Sequence, residues 1–210
     1  MIAASNEAKA LQMKQYMKGK FDYFGISSPE RKSIQKRFFP AWKKQFKGQE
    51  IQWTWVLWNQ PQREMQYVAM DWMKACSIWK QAGSIRDIEA WLLNKTWWDT
   101  LDFLASTCVG GYFLKFPEER DAFIEKWNNS SNFWMNRTAI LFQLKYKKQV
   151  DVDLLFALID SHKDQKEFFI RKAIGWALRE LSKTQPEVVK DFLKTRTLSG
   201  LSVREASKYL

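Results

Sequence analysis

The chain has 210 residues, of which 34 are Lys or Arg and 23 are Asp or Glu, so its formal net charge is +11. A hydrophobic fraction of 46% with 27% charged residues is typical of a folded globular chain and argues against disorder. Two cysteines and one histidine, His162, are too few for a disulfide framework, a structural zinc site or a histidine-based triad. We therefore expect no metal ion, no cofactor and a reduced, cytoplasmic setting.

The positive charge indicates a polyanionic partner, which is either nucleic acid or an anionic membrane surface. The first residues, MIAASNEAKALQMKQ, contain no apolar core of the kind that a secretory signal needs. One of the longest apolar runs, LLFALI at 154–159, is far shorter than a membrane-spanning helix. We expect no membrane association, because no single helix is both strongly basic and apolar on one face, but charge alone does not establish nucleic acid as the partner.

In chain order, helix signals follow one another, whereas strand signals are nearly absent. Ser28 and Pro29 are typical of a helix start, and Ser84 with Asp87 has the spacing of a capping box. Ser202 with Glu205 has the same spacing. The sequence therefore predicts an all-α fold. The predicted helices cover 5–18, 29–38, 49–59, 61–76, 84–94, 97–113, 117–127, 132–147, 152–161, 165–182, 186–195 and 203–209.

An alanine recurs within four of the long amphipathic helices: Ala69, Ala105, Ala139 and Ala173 lie 36, 34 and 34 residues apart. A small residue at a fixed repeat position lets neighbouring helices approach closely, and each of these helices follows a shorter one. The period is typical of helical hairpins of the HEAT or TPR class. We expect a single domain over 1–210, built as a superhelical solenoid of about six HEAT-like hairpins with a concave basic face.

The segment KTWWDTLDF at 95–103 combines tryptophans with carboxylates. Thr96 and Asp99 have the spacing of a capping box, which explains Asp99 structurally. Asp102 lies too deep in the predicted helix to cap it, and it shares a helix face with Trp98, one turn earlier. Core packing of Trp98 and a solvated position for Asp102 remain alternatives. The complementary apolar stripe consists of Trp97, Leu101, Leu104 and Cys108.

Two further residues are unusual within predicted inner helices, namely Arg137 in SSNFWMNRTAILFQLKYKK and Trp176 in FFIRKAIGWALRELSK. Equivalent turns of successive inner helices lie side by side in a solenoid, so both could converge with Trp98 and Asp102. An ion pair between Arg137 and Asp102 is the simpler alternative. Indole faces attract cations and a guanidinium binds phosphate, so the set suits a nucleotide that carries a cationic base.

Six separated segments extend this interpretation: FDYFGISSPERK, QREMQYVAMDWM, KTWWDTLDFLA, NRTAILFQLKYK, EFFIRKAIGWALRELSKTQPEVV and LSVREASKYL. In this order, from about residue 16 to the C-terminus, the chain resembles the AlkD-like DNA alkylation repair glycosylases. The resemblance implies a solenoid of HEAT-like repeats whose concave basic face holds double-stranded DNA. It also implies excision of N-alkylated purines, notably 3-methyladenine and 7-methylguanine.

The resemblance places the catalytic carboxylate at Asp102 and the lesion-facing indoles at Trp98 and Trp176. It matches the family's arginine to Arg137, while Ser27 departs from relatives that have a longer polar residue there. Arg137 is expected to bind substrate with the two indoles. The positions expected to contact DNA are Tyr16, Arg31, Arg171 and Arg179.

An alkylated purine is already cationic and therefore leaves without a general acid, and Asp102 would stabilise the oxocarbenium character of the sugar. No lysine is marked as a Schiff-base nucleophile. We therefore expect a monomeric, monofunctional DNA glycosylase of base excision repair that leaves an abasic site. A non-catalytic DNA-binding solenoid and a protein–protein scaffold are the alternatives.

Overall fold

A computed structural model describes residues 1–210, and its named secondary-structure elements are all helices. The only β-type pairing is an isolated bridge between Asp22 and Gln62, so the predicted all-α fold is confirmed. The chain divides into two compact units, unit 1 at residues 1–84 and unit 2 at residues 85–210. The single domain and the solenoid remain predictions. None of the helices combines the length and the apolar character that crossing a membrane would require.

In unit 1, helix α2 is longer than predicted, because it continues through Pro40 to Gln45. Proline disfavours a helix interior, which is why the sequence pattern predicts an end before it. Aromatic packing stabilises the extension, since the Trp42 ring lies 5.3 Å from Trp53 and 6.2 Å from the fully buried Trp72. The helices of unit 1 are α1 (Glu7–Tyr16), α2 (Ser28–Gln45), α3 (Glu50–Trp58) and α4 (Arg63–Cys76).

In unit 2, α9 packs against α6, α8, α10 and α11, and α11 packs against α12 and α13. A π-helical segment (Leu104–Val109) joins α6 to α7 within the helical run predicted at 97–113. The helices of unit 2 are α5 (Ile85–Leu93), α6 (Trp98–Phe103), α7 (Gly110–Lys115), α8 (Arg120–Asn128), α9 (Phe133–Leu141), α10 (Val152–His162), α11 (Phe168–Ser182), α12 (Pro186–Thr195) and α13 (Gly200–Ala206).

Two predicted boundaries in unit 2 are wrong. Helix α9 ends at Leu141 rather than near 147, because Gln143 exchanges two hydrogen bonds with the backbone of Asp151 and so holds a turn. Helix α13 begins at Gly200 with Ser199 as its N-cap, not with Ser202. The Ser202 hydroxyl instead donates to the Arg171 carbonyl, a contact between helices that the local sequence cannot show.

The four periodic alanines are all fully buried, each with 0% exposure. Ala69 lies in α4, Ala139 in α9 and Ala173 in α11, whereas Ala105 lies in the π-helical segment. Ala105 and Ala173 belong to one hydrophobic core cluster of unit 2. The period therefore marks positions where a helix packs without room for a larger side chain.

Candidate active site

Asp102 lies in the last turn of α6, immediately before the π-helical segment. The predicted apolar stripe is buried around it, with Leu101, Leu104 and Cys108 each at most 1% exposed. Ser106, within the segment, donates its hydroxyl to the Asp102 carbonyl oxygen at 2.6 Å. Single π turns inside α-helices occur frequently at functional sites, and here the turn follows the predicted catalytic residue.

The capping box predicted for Thr96 and Asp99 is wrong. Helix α6 begins at Trp98, and its N-cap is Trp97, whose backbone is extended and whose side chain makes no capping bond. Thr96 therefore lies one residue too early, and its hydroxyl donates to the Leu92 carbonyl at the end of α5 at 2.6 Å. Asp99 lies in the first turn of α6, where a carboxylate interacts favourably with the helix dipole.

The structure brings Asp102 and Arg137 together as a bidentate ion pair. Nε of Arg137 donates to Oδ1 of Asp102 and Nη2 donates to Oδ2, both at 2.9 Å. Nη1 donates to the carbonyl oxygen of Phe169, in the first turn of α11. The side chain of Arg137 is 5% exposed and that of Asp102 is 17% exposed. The carboxylate is thus fixed in orientation, although part of it still reaches solvent.

Burial raises the pKa of Asp102 above the ordinary aspartate value. The charge and hydrogen bonds of Arg137 lower this pKa, whereas the nearby charge of Asp99 raises it. The carboxylate is therefore poorly solvated and is only partly compensated by its partner. A positive charge that develops close to such a group is stabilised more strongly than it would be in water.

An aromatic cluster, defined by Trp97, Phe133, Trp134 and Phe169, supports the ion pair. The Trp97 ring lies 5.6 Å from Trp134 and 5.3 Å from Phe169, both in edge-on geometry. Trp134 lies 4.8 Å from Phe169, and the Arg137 guanidinium lies 5.9 Å from the Phe169 ring centre. Trp97 therefore has the packing role that the sequence predicts, and the cluster fixes the position of the Phe169 carbonyl.

Asp102 occupies a repeat position that has a structural role elsewhere in the chain. Gln66, three residues before Ala69, donates to the carbonyl oxygens of Trp58 and Gln60 and so satisfies the end of α3. Asn136, three residues before Ala139, binds three carbonyls at the end of α8 in the same way. At the equivalent position before Ala105, Asp102 binds Arg137 instead, and the preceding helix end is satisfied by Thr96.

The two predicted lesion-facing indoles are both half-buried. Trp98 is the first residue of α6, one turn before Asp102. Trp176 lies on α11, seven residues after Phe169, and packs against the core cluster of unit 2. Each indole keeps some exposed surface, and their convergence on a lesion remains a prediction.

The two DNA-contact candidates in unit 1 have different surroundings. Tyr16, the last residue of α1, is 69% exposed. Arg31 is only 6% exposed, lies 3.2 Å from the Asp71 carboxylate and sits 5.2 Å from the Tyr67 ring centre. Its guanidinium is therefore used within unit 1, and a DNA contact from Arg31 stays a prediction that its burial disfavours.

The two candidates on α11 also differ. Arg179 donates to Glu205 at 2.8 Å, and hydrogen bonds from Lys172 and Lys208 to the same carboxylate help to lower the pKa of Glu205 to about 2. Arg179 is thus part of the contact between α11 and α13. Arg171, in contrast, has a buried Nε without a hydrogen-bond partner. It lines a cavity of about 200 Å³ with residues that include Lys163, Lys166 and Ser199.

Sequence reasoning missed the carbonyl of Phe169 and the hydroxyl of Ser106. Every residue has a carbonyl, so no pattern of side chains distinguishes the one that receives Arg137. Serine within a helix commonly bonds to a carbonyl one turn earlier, so Ser106 is also unremarkable in sequence. The role of the Phe169 carbonyl becomes visible only when α9 and α11 are packed together.

A family model described as DNA alkylation repair enzyme matches residues 1–210. The chain belongs to this family. A solved structure described as a predicted DNA alkylation repair enzyme from Enterococcus faecalis is 33% identical, with a TM-score of 0.88, over 98% of this chain and 96% of that chain. No curated protein sequence matches significantly.

The structure of smu.31 from Streptococcus mutans UA159 is also similar, with a TM-score of 0.64 over 85% of the present chain and 92% of the smu.31 chain. At 19% identity, this likeness shows the fold alone. Membership of a DNA repair family implies that the chain binds DNA, and the predicted family resemblance is confirmed.

Proposed function

We propose that the protein is a monofunctional DNA glycosylase that hydrolyses the N-glycosidic bond of cationic N-alkylated purines in double-stranded DNA. The substrates are 3-methyladenine and 7-methylguanine, and the chain acts as a monomer. The observation that supports this most directly is the carboxylate of Asp102, partly exposed and fixed by Arg137 through two 2.9 Å hydrogen bonds. A poorly solvated, oriented carboxylate is suited to stabilise a sugar cation.

In the proposed reaction the bond between C1′ and the purine nitrogen breaks, and its electron pair moves to the purine, which becomes neutral. The positive charge passes to the deoxyribose as oxocarbenium character, which Asp102 stabilises. Water then adds to C1′ and loses its proton, leaving a free base and an abasic site. The leaving group is neutral, so no general acid is needed.

Each remaining residue has a role in this proposal. Arg137, which the sequence predicts to bind substrate, is a positioning residue in this proposal, because three of its five N–H donors bond to Asp102 and Phe169 and its side chain is only 5% exposed. Trp98 and Trp176 would face the cationic base, whose charge favours an indole face by about 0.5–2 kcal/mol. Arg171 would contact a backbone phosphate, since it lines a cavity together with Lys163 and Lys166. Tyr16, Arg31 and Arg179 remain proposed DNA contacts, with Arg31 and Arg179 the weaker two because both are already paired.

The decisive experiment is chromatography of the bases released from N-methylated duplex DNA under single-turnover conditions. We expect the wild type to release 3-methyladenine or 7-methylguanine and to leave strands that break only after alkali treatment. Asp102→Asn should reduce release by about 10²–10⁴-fold, as expected for removal of a preorganised electrostatic group. Asp99→Asn makes the same change three residues earlier and is the matched control.

Thermal melting of both variants separates a loss of chemistry from a loss of folding. Release by Asp102→Asn at the wild-type rate would contradict the role of Asp102. A wild type that binds methylated duplex but releases no base would instead support the non-catalytic DNA-binding protein.

A further inference from the structure

The positive charge of the chain is concentrated in unit 1, although the candidate active site lies in unit 2. Residues 1–84 contain 14 Lys and Arg against 6 Asp and Glu, so they contribute +8 of the net charge of +11. Residues 85–210 contain 20 against 17 and contribute only +3. The basic character that indicates a polyanionic partner therefore belongs mainly to the smaller unit.

Within unit 1, most of this charge lies on α2 and the turn that follows it. Glu30 is the only acidic residue between 28 and 48. Arg31 is the one cation of this stretch that is paired, through Asp71. The remaining basic residues are exposed and have no carboxylate partner: Lys32, Lys36, Arg37, Lys43, Lys44 and Lys47.

Three lysines of unit 2 are paired instead. Lys183, Lys190 and Lys194 each form an ion pair of 2.8–3.0 Å with an acidic residue three positions earlier on the helix. Like charges one helical turn apart, as in Lys32 and Lys36, destabilise a helix. Helix α2 therefore carries a repulsion that its own fold does not relieve, and an external anion would relieve it.

Three of these lysines, Lys32, Lys36 and Lys43, line one open groove of about 490 Å³ between α2 and α4. The apolar parts of the groove include Phe39 and Pro40. Its single acidic residue, Asp71, is already bound by Arg31 and by the Gln35 amide at 3.1 Å. The groove consequently presents uncompensated positive charge along one side of α2.

The form of this charge favours a linear polyanion. Lys32 and Lys43 are eleven residues apart, which corresponds to about 16 Å along a helix axis, so the charges form a row. A membrane partner would need an exposed apolar face on the same helix. Here Phe39 and Trp42 pack edge-on against Trp72, and Phe38 is the exposed aromatic residue, at 50%.

We propose that the row of Lys32, Lys36 and Lys43 on α2 binds the phosphate backbone of duplex DNA and supplies sequence-independent affinity. This proposal rests on the proposed function, from which it takes double-stranded DNA as the substrate. It assigns non-specific electrostatic binding to unit 1, separately from the chemistry of Asp102 in unit 2. Direct phosphate contacts release counterions, so the affinity from this row decreases steeply with salt.

The test compares how tightly the wild type and the triple variant Lys32→Gln/Lys36→Gln/Lys43→Gln bind an undamaged duplex. The affinity is measured at salt concentrations from about 0.05 to 0.3 M, where the effect of counterion release is resolved. Each lost contact removes about 0.9 from the slope of log affinity against log salt, so the slope should decrease by about 2–3. At 0.1 M salt each phosphate contact increases the binding constant by at most about 8-fold. The loss of three contacts should therefore weaken binding by about 10- to 500-fold. Lys183→Gln/Lys190→Gln/Lys194→Gln removes the same net charge and is the matched control.

An unchanged slope in the α2 variant, or an equal loss in the control, would overturn the proposal. The proposal also fails if the α2 variant loses only binding to vesicles of anionic phospholipid. Because the duplex is undamaged, the measurement does not depend on base release. A wild type that releases no base while the slope falls as expected would therefore refute the proposed chemistry and leave the α2 site standing.

Discussion

Arg137 holds Asp102 through two parallel hydrogen bonds, although the two residues lie 35 positions apart in the sequence. The same guanidinium reaches the Phe169 carbonyl, so one side chain connects α6, α9 and α11. A planar guanidinium has the fork geometry that such an arrangement needs, and an ammonium group does not. The orientation of the candidate catalytic carboxylate therefore depends on contacts from two other helices.

Replacing Arg137 with Lys tests this dependence, because the charge is kept while the fork is lost. We expect single-turnover base release to fall about 10- to 100-fold, which corresponds to about 1.4–2.7 kcal/mol of transition-state stabilisation. The free energy of unfolding should fall by about 1–3 kcal/mol as the Phe169 carbonyl and Asp102 lose donors. Arg196→Lys, at an exposed ion pair with Asp160, is the control. Base release by Arg137→Lys at the wild-type rate would show that the fork geometry of the guanidinium is not needed.

The pH dependence of base release should show the raised pKa of Asp102. The ionised carboxylate is the proposed active form, and burial raises its pKa. The rate should therefore fall as the pH decreases through a value above that of an ordinary aspartate. Single-turnover rates between about pH 3 and 8 cover this limb, because the lower end lies below the ordinary aspartate pKa of about 3.5–3.9. A rate that stays constant down to the ordinary aspartate value would exclude Asp102 as the titrating group.

Gly175 allows α11 and α13 to approach closely. An added Cβ would lie 2.5 Å from the Cβ of Glu205 and 2.8 Å from the Ser202 carbonyl oxygen. We expect Gly175→Ala to lower the free energy of unfolding by about 1–3 kcal/mol, because the backbone of α13 must move. Gly200→Ala, where an added Cβ meets nothing within 4 Å, should be neutral or slightly stabilising. Denaturant unfolding of both variants measures the difference, and equal midpoints would contradict the close approach.

His162 should make the stability of the protein depend on pH. It is 5% exposed and bonds to Asn128 and Gln165, each at 2.7 Å, and burial lowers its pKa below the ordinary 6.5. Below pH 6.5 the unfolded chain binds a proton that the native state does not, so the free energy of unfolding should fall as the pH decreases from there. Urea unfolding at pH 5.5 and 7.5 should show this decrease, and His162→Gln should reduce it. An equal pH dependence in the variant would assign the effect to other groups.

Local sequence patterns predicted the helices well, because helical periodicity and helix-breaking residues act within a few residues of one another. They failed where a contact between helices decided the outcome. Helix α2 passes through Pro40 because Trp42 packs against Trp53 and Trp72. The hydroxyls of Thr96 and Ser202 bond to the carbonyls of Leu92 and Arg171 instead of capping the helices that follow them.

The sequence by itself determined the all-α fold, the buried alanine period and the pairing of Trp98 with Asp102 on one helix, since all three depend on spacing along the chain. Only the tertiary structure decided which charges are available. Arg31 and Arg179 form ion pairs with the carboxylates of Asp71 and Glu205, whereas Arg171 forms no such pair. The tertiary structure also determines that Arg137 donates to Asp102 and to the Phe169 carbonyl. Ion pairs form between residues that folding brings together, and a local pattern does not contain that information.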